Sequence, residues 1–197
     1  MKLNAQQLRE NAKNDENVEF KQVERNNIYL LVENVYDTYN IGGLFRLADA
    51  LAVKKLYLIG DTETPPNGRI LKASIGTYKV VPWVYKKTTQ EAIDELRNVY
   101  KTGENALAEN RGETKTSGIR ILAVEQAENS VDYREADYTE PVALLVGNET
   151  YGVTEDTLKL VDQIVEIPMW GINKSLNVIV SAAIVSYFAI GKITSRG

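Results

Sequence analysis

The chain has 197 residues, 44% apolar and 25% charged, with a net charge of −4, which suits one α/β domain or a domain with a short appendage. It contains no cysteine and no histidine, which excludes disulfides, thiolate metal sites, cysteine nucleophiles, serine–histidine pairs and most zinc sites. No metal is expected, so any chemistry must rest on Arg, Lys, Asp, Glu, Ser, Asn or Tyr, or on a cofactor with its own reactive group.

Residues 1–26 are polar and lack the apolar core of a signal peptide. They read as an N-terminal appendage, helical in part, ahead of a main domain over 27–197. IYLLVEN (28–34) reads as a buried strand, followed by the turn-rich Tyr36–Asn40. Asn40 is placed to cap a helix through IGGLFRLADALA, where Leu44, Leu47, Ala48 and Leu51 share one face. The strand KKLYLIG ends at Gly60, and ILKASIG is a short helix stopped by Gly76. YKVVPWVYK reads as extended, with Pro82 marking an edge or a bulge. TTQEAIDELRNVYK has the threonine cap and acidic first turn of a helix. Residues 102–118 are poor in large apolar side chains and read as a loop insertion. IRILAVEQ, VALLVGN and IVEIPM are three further strands, and a last long helix runs from about Ser175 to Gly191. Its apolar run, Val178 to Ile190, is too short to span a bilayer, so no membrane partner and a cytoplasmic setting are expected. Near-continuous apolar strands alternating with helices indicate a mostly parallel sheet with helices on both faces.

Charge is unevenly placed. Residues 54–87 carry a net +5, and no acid lies between Arg69 and Lys87. Arg69, Lys72 and Lys79 are interleaved there with Tyr78, Trp83 and Tyr85, a pattern suited to phosphate contact and base stacking as well as to a solvated face.

Three segments concentrate chemistry. In NIGGLFR, Asn40 and Arg46 open a helix after the first strand, with Gly42 and Gly43 permitting close approach to the backbone. In VALLVGNETYGV, a buried strand enters a glycine-bounded turn carrying Glu149, and Thr154 then seeds a helix with Glu155 and Asp156 in its first turn. In IPMWGINKSLN, a strand ends at Pro168 and a loop gathers Asn173, Lys174, Ser175 and Asn177 at a helix N-terminus, where backbone donors converge.

Together and in this order, NIGGLFR, GNETYG and IPMWGINKSLNV resemble the SpoU-type (TrmH-like) RNA 2′-O-ribose methyltransferases of the SPOUT superfamily, over roughly residues 27–191. The resemblance implies a deep C-terminal trefoil knot, an exception to the rule that chains avoid threading. It implies S-adenosylmethionine as cofactor, held by loops carrying Val124 and Glu125, then Gly147, then Ile167, Met169 and Leu176. It implies a homodimer whose sites are completed across the interface, with the helix Val178–Tyr187 contributing. It also implies that Arg46 activates the ribose hydroxyl, while Asn40, Glu149, Ser175 and Asn177 orient the site. An arginine is ordinarily protonated, so Arg46 acts either as a strongly perturbed base or by stabilising the forming alkoxide. The chain has no room for the separate N-terminal RNA-binding domain of members that modify rRNA, which favours tRNA. The alternative is a non-catalytic RNA-binding or assembly factor on the same fold, against which Arg46 and the IPM…SLN loop are both retained.

Overall fold

The computed structural model describes residues 4, 6–8, 23–111, 118–139 and 141–194, with the backbone alone for 102–111 and 194. The expected appendage over 1–26 lies largely outside them. Among the described residues seven strands form one sheet: β1 (Asn26–Glu33), β2 (Val53–Ile59), β3 (Trp83–Lys86), β4 (Arg120–Val124), β5 (Val131–Asp132), β6 (Val142–Val146) and β7 (Gln163–Glu166). Their order across it is β3-β2-β1-β6-β4-β7-β5, and all of its pairings are parallel. The helices are α1 (Thr38–Ala50), α2 (Gly68–Ser74), α3 (Thr89–Arg111), α4 (Glu155–Leu158) and α5 (Val178–Thr194).

The strand period of two explains the two cores. From β1, Ile28, Leu30 and Val32 enter one core with Leu44, Phe45 and Ala48 of α1 and Val178, Ala182, Val185 and Ala189 of α5. Tyr29 and Leu31 point the other way, into a core with Ala92, Ile93 and Leu96 of α3. A sheet covered on both faces has no solvated side, which is why β6 is buried at every position from Val142 to Val146.

Several local expectations are corrected. Asp37, not Asn40, caps α1: its carboxylate accepts from the Tyr39 N–H at 2.8 Å, and the helix begins at Thr38. Asn177, not Ser175, caps α5, accepting from the Ile179 N–H at 2.9 Å. Of YKVVPWVYK, Tyr78 and Lys79 belong to a 3-10 turn (Thr77–Lys79) and only Trp83–Lys86 is strand, at the sheet edge, where the missing N–H of Pro82 costs nothing and its carbonyl accepts from the Leu56 N–H at 2.9 Å. The expected loop over 102–118 gives way to helix through Arg111, because Glu104, Ala106, Leu107, Ala108 and Glu109 are strong helix formers. Residues 112–117 lie outside the described set.

Gly42 and Gly43 admit protein, not ligand. A Cβ on Gly42 would lie 2.4 Å from Ala73 Cβ and 2.9 Å from the Ser74 nitrogen, so α1 and α2 touch backbone to backbone there. A Cβ on Gly43 would meet the Ile179 side chain of α5 at 2.3 Å. Gly42→Ala should therefore destabilise the fold by about 1–3 kcal/mol, the overpacking cost exceeding the better helix propensity of alanine. Urea unfolding measures this, and an unchanged midpoint would mean that α2 shifts freely.

Candidate active site

The C-terminal ends of β1, β6, β4 and β7, which are neighbours in the sheet, open into a cleft of about 880 Å³. This is the edge of a parallel sheet at which loops build ligand crevices. All six residues expected to hold a cofactor line it: Val124 and Glu125 past β4, Gly147 past β6, and Ile167, Met169 and Leu176 past β7. Asn40, Glu149, Ser175 and Asn177 line it as well. Arg46 is not among the lining residues and sits on an exposed part of α1. Six residues along a helix turn the side chain by about 120° from the starting direction, so Asn40 and Arg46 face different sides. Arg69 and Lys72 on α2 and Lys79 in the 3-10 turn are exposed and lie outside the cleft.

One chain of hydrogen bonds ties the three segments together. Asn177 Nδ2 donates to Asn40 Oδ1 at 3.0 Å, and Asn40 Nδ2 donates to Glu149 Oε1 at 3.0 Å. The backbone N–H groups of Asp37 and Tyr36 also donate to the Glu149 carboxylate, at 3.1 and 3.3 Å. Burial works to raise the pKa of Glu149, but the Asn40 amide and the surrounding backbone N–H groups outweigh it and hold the carboxyl below its ordinary value. Glu149 is accordingly a fixed anion and a weak base.

The turn that carries Glu149 is closed from within. Asn148 and Gly152 exchange backbone hydrogen bonds at 3.0 and 2.9 Å, and Asn148 Oδ1 accepts from the N–H groups of Thr150 and Tyr151. A Cβ on Gly147 would lie 2.3 Å from the Gly152 backbone, and Gly152 itself has φ +68°. The glycines of GNETYG are thus required by the turn before any ligand is considered. Glu125 clasps this turn from the neighbouring loop, its Oε2 accepting from the Val153 N–H at 2.8 Å.

Beneath the turn is a residue that the sequence pattern did not flag. Glu33, the last residue of β1, is 4% exposed. It accepts from Thr89 Oγ1 at 2.5 Å, from the Thr154 N–H at 3.0 Å and from the Thr157 hydroxyl. It pins the starts of α3 and α4 to the sheet. An acid closing an otherwise apolar strand was the available signal, since a carboxylate there needs buried donors.

Among the described residues, four acids (Asp37, Glu125, Glu149, Glu166) and one base (Lys174) line the cleft. Such a site favours a cationic ligand and opposes an unaccompanied phosphate.

A parallel α/β domain with a polar cleft at its strand ends defines the general class. The chain belongs to the SpoU rRNA Methylase family, whose model matches residues 27–111 and 103–187. It is 33% identical over 158 residues to the tRNA (guanosine(18)-2′-O)-methyltransferase of Escherichia coli K12, covering 80% of this chain and 60% of that protein. It is 32% identical over 160 residues to a Thermus thermophilus protein of the same name, covering 81% and 72%. Among solved structures, the SpoU methyltransferase AviRb from Streptomyces viridochromogenes, in complex with AdoMet, matches with a TM-score of 0.72 at 26% identity, over 88% of this chain and 60% of that one. The chain thus spans about 60% of the length of the E. coli relative.

Because Glu149 titrates below its ordinary value of 4.5, its interactions add stability above that value and lose it as pH falls through the folded pKa. Glu149→Gln should therefore be less stable than the parent at neutral pH, with the gap closing only as the pH falls below 4.5. Urea unfolding across pH 3–7 tests this; a gap that widens in acid would show that the carboxylate is not held as an anion.

Proposed function

We propose that this protein transfers a methyl group from S-adenosylmethionine to a ribose 2′-hydroxyl of RNA, with tRNA as the favoured substrate. The observation that carries this reading is the convergence of Asn40 from NIGGLFR with GNETYG and IPMWGINKSLN on one acid-lined cleft at the strand ends. The cleft fits the cofactor: its carboxylates suit a sulfonium and an ammonium, while Val124, Ile167 and Met169 offer apolar surface for a purine. The cofactor, when bound, would supply an electrophilic methyl on a positively charged sulfur; transfer would form a C–O bond, break the S–methyl bond to leave a neutral thioether, and pass the hydroxyl proton to solvent water. The names of the E. coli and Thermus relatives support tRNA and the 2′-oxygen.

Glu149 is held as an anion by three N–H donors, so its role is to fix Asn40 and the Tyr36–Asp37 backbone ahead of α1, not to take the proton. Asn40 and Asn177 orient the acceptor side of the cleft, and Ser175 presents a hydroxyl at its mouth. The counter-charge for the forming alkoxide falls to Arg46, delivered by a second copy of the chain. The exposed position of Arg46 supports this, as do the exposed Val180 (45%) and Tyr187 (56%) on α5, which packs against α1 at Gly43. A homodimer through α1 and α5 would cover these side chains.

The trefoil knot belongs to the same proposal. β6 and β7 flank β4 on either side, and α5 then returns to the core beside β6 and β4, which supports a threaded C-terminal segment. A cytoplasmic setting is in keeping with this; among the described residues no helix is long and apolar enough to cross a membrane.

Incubation of the protein with labelled S-adenosylmethionine and total tRNA, followed by nucleoside mapping, should place the label on ribose; label on a base would refute the 2′-oxygen. Arg46→Ala should cost about 100-fold or more in turnover while leaving cofactor affinity within about twofold. Tyr187→Glu should yield monomers by sedimentation velocity that bind cofactor but do not turn over; an active monomer would eliminate the shared site.

A further inference from the structure

Hydrogen-bond accounting separates the four carboxylates of the cleft. Glu125 accepts from two backbone N–H groups, those of Gln126 at 2.9 Å and Val153 at 2.8 Å. Glu149 accepts from three N–H donors. Asp37 is exposed, so solvent meets its second oxygen, and its Oδ1 accepts an unshared N–H as the cap of α1. Glu166 is different. Among the described residues its side chain has a single recorded donor, the Ser130 hydroxyl, 2.9 Å from Oε2. That same hydroxyl lies 2.8 Å from the carbonyl oxygen of Ala127. A serine hydroxyl has one hydrogen, so Ser130 satisfies either Ala127 or Glu166 at any moment, never both.

Glu166 therefore sits half-buried on the cleft wall with at most one shared proton for two oxygens. A partly desolvated carboxylate in that condition calls for donors. Directly after it on the same wall come Ile167 and Met169, an apolar surface suited to a purine ring. The part of an adenosine joined to that ring is the ribose, whose vicinal hydroxyls present two donors side by side. We propose that Glu166 is a cofactor-binding residue that accepts the ribose hydroxyls of the adenosine-bearing methyl donor. Ser130 holds one carboxylate oxygen and leaves the other open to the ligand. The inference rests on the methyl-donor reading of this cleft and adds to it a residue outside the three sequence segments.

The test is calorimetric titration of the parent protein and of Glu166→Gln with S-adenosylmethionine and, separately, with 5′-methylthioadenosine. The second ligand keeps the adenine and ribose but lacks the amino-acid end. Glu166→Gln should weaken both ligands by a similar factor, about tenfold, as expected for loss of a charge-assisted hydrogen bond. The thermal midpoint of the ligand-free protein should not fall, because little in the fold depends on this carboxylate. If only S-adenosylmethionine is weakened, Glu166 meets the ammonium end and the ribose assignment is overturned. Unchanged affinity for both ligands overturns it as well. A parent protein that binds neither ligand would instead sink the methyl-donor reading itself, an outcome separable from the other two.

Discussion

The cleft depends on the orientation of one buried side-chain amide. Asn40 is 7% exposed, so both ends of its amide need partners. An ionised carboxylate only accepts, so Glu149 dictates that the nitrogen of Asn40 faces it. The oxygen of Asn40 then faces α5 and must be met by a donor, which Asn177 supplies through Nδ2. That leaves the Asn177 oxygen free to cap the Ile179 N–H. A charge on the turn after β6 thereby sets the polarity of a chain that ends at the start of α5, 137 residues from Asn40. Three segments distant in sequence become one rigid unit through donors and acceptors that cannot be exchanged.

The same logic extends beneath and beside the cleft. Glu33 holds the starts of α3 and α4, and Glu125 holds the far end of the Glu149 turn at Val153. Carboxylates are well suited to this task because each gathers several N–H or O–H donors from loop backbone that would otherwise be orphaned. Using acids as scaffold leaves the cleft electronegative, a suitable seat for a cationic donor and a poor one for a polyanion. Exposed basic groups lie elsewhere: Arg46 on the exposed side of α1, and Arg69, Lys72 and Lys79 on and beyond α2, where the proposed function would place RNA. Donor and acceptor would be recognised by surfaces of opposite sign, with a dimer the simplest way to bring them together.

The apolar strands, both helix-covered faces and the gathering of the three loops were legible in the sequence because burial leaves a continuous apolar signature and the segments each follow a strand. What was not legible depends on phase and on tertiary partners. Asp37, Asn40, Ser175 and Asn177 are all competent caps by type; only the approach of Glu149 and Asn177 decides that Asn40 serves the site while Asp37 caps the helix. The two residues of β5 are too few for any period, and their pairing with β7 is what makes them a strand. Residues 102–111 mislead because their scarcity of large apolar side chains masks the helix propensity of Ala, Leu and Glu. Glu33 reads in sequence as no more than the end of a strand, its three donors lying 56 to 124 residues away.

Glycine patterns carry a further lesson about what a motif reports. Gly42, Gly147 and Gly152 each have the space of a Cβ filled by other atoms of the chain, from α2, from the opposite side of the turn and from Glu125 respectively. These glycines certify a scaffold: they mark where two backbones, or a backbone and a carboxylate, must meet. They do not by themselves mark where a ligand lies. The groups available to a ligand are those whose bonding capacity the scaffold leaves open, and these follow from a count of donors and acceptors, not from spacing. In this cleft the count sets Glu125 and Glu149 on the side of architecture. Glu166, which belongs to none of the three segments that identified the site, falls on the side of recognition.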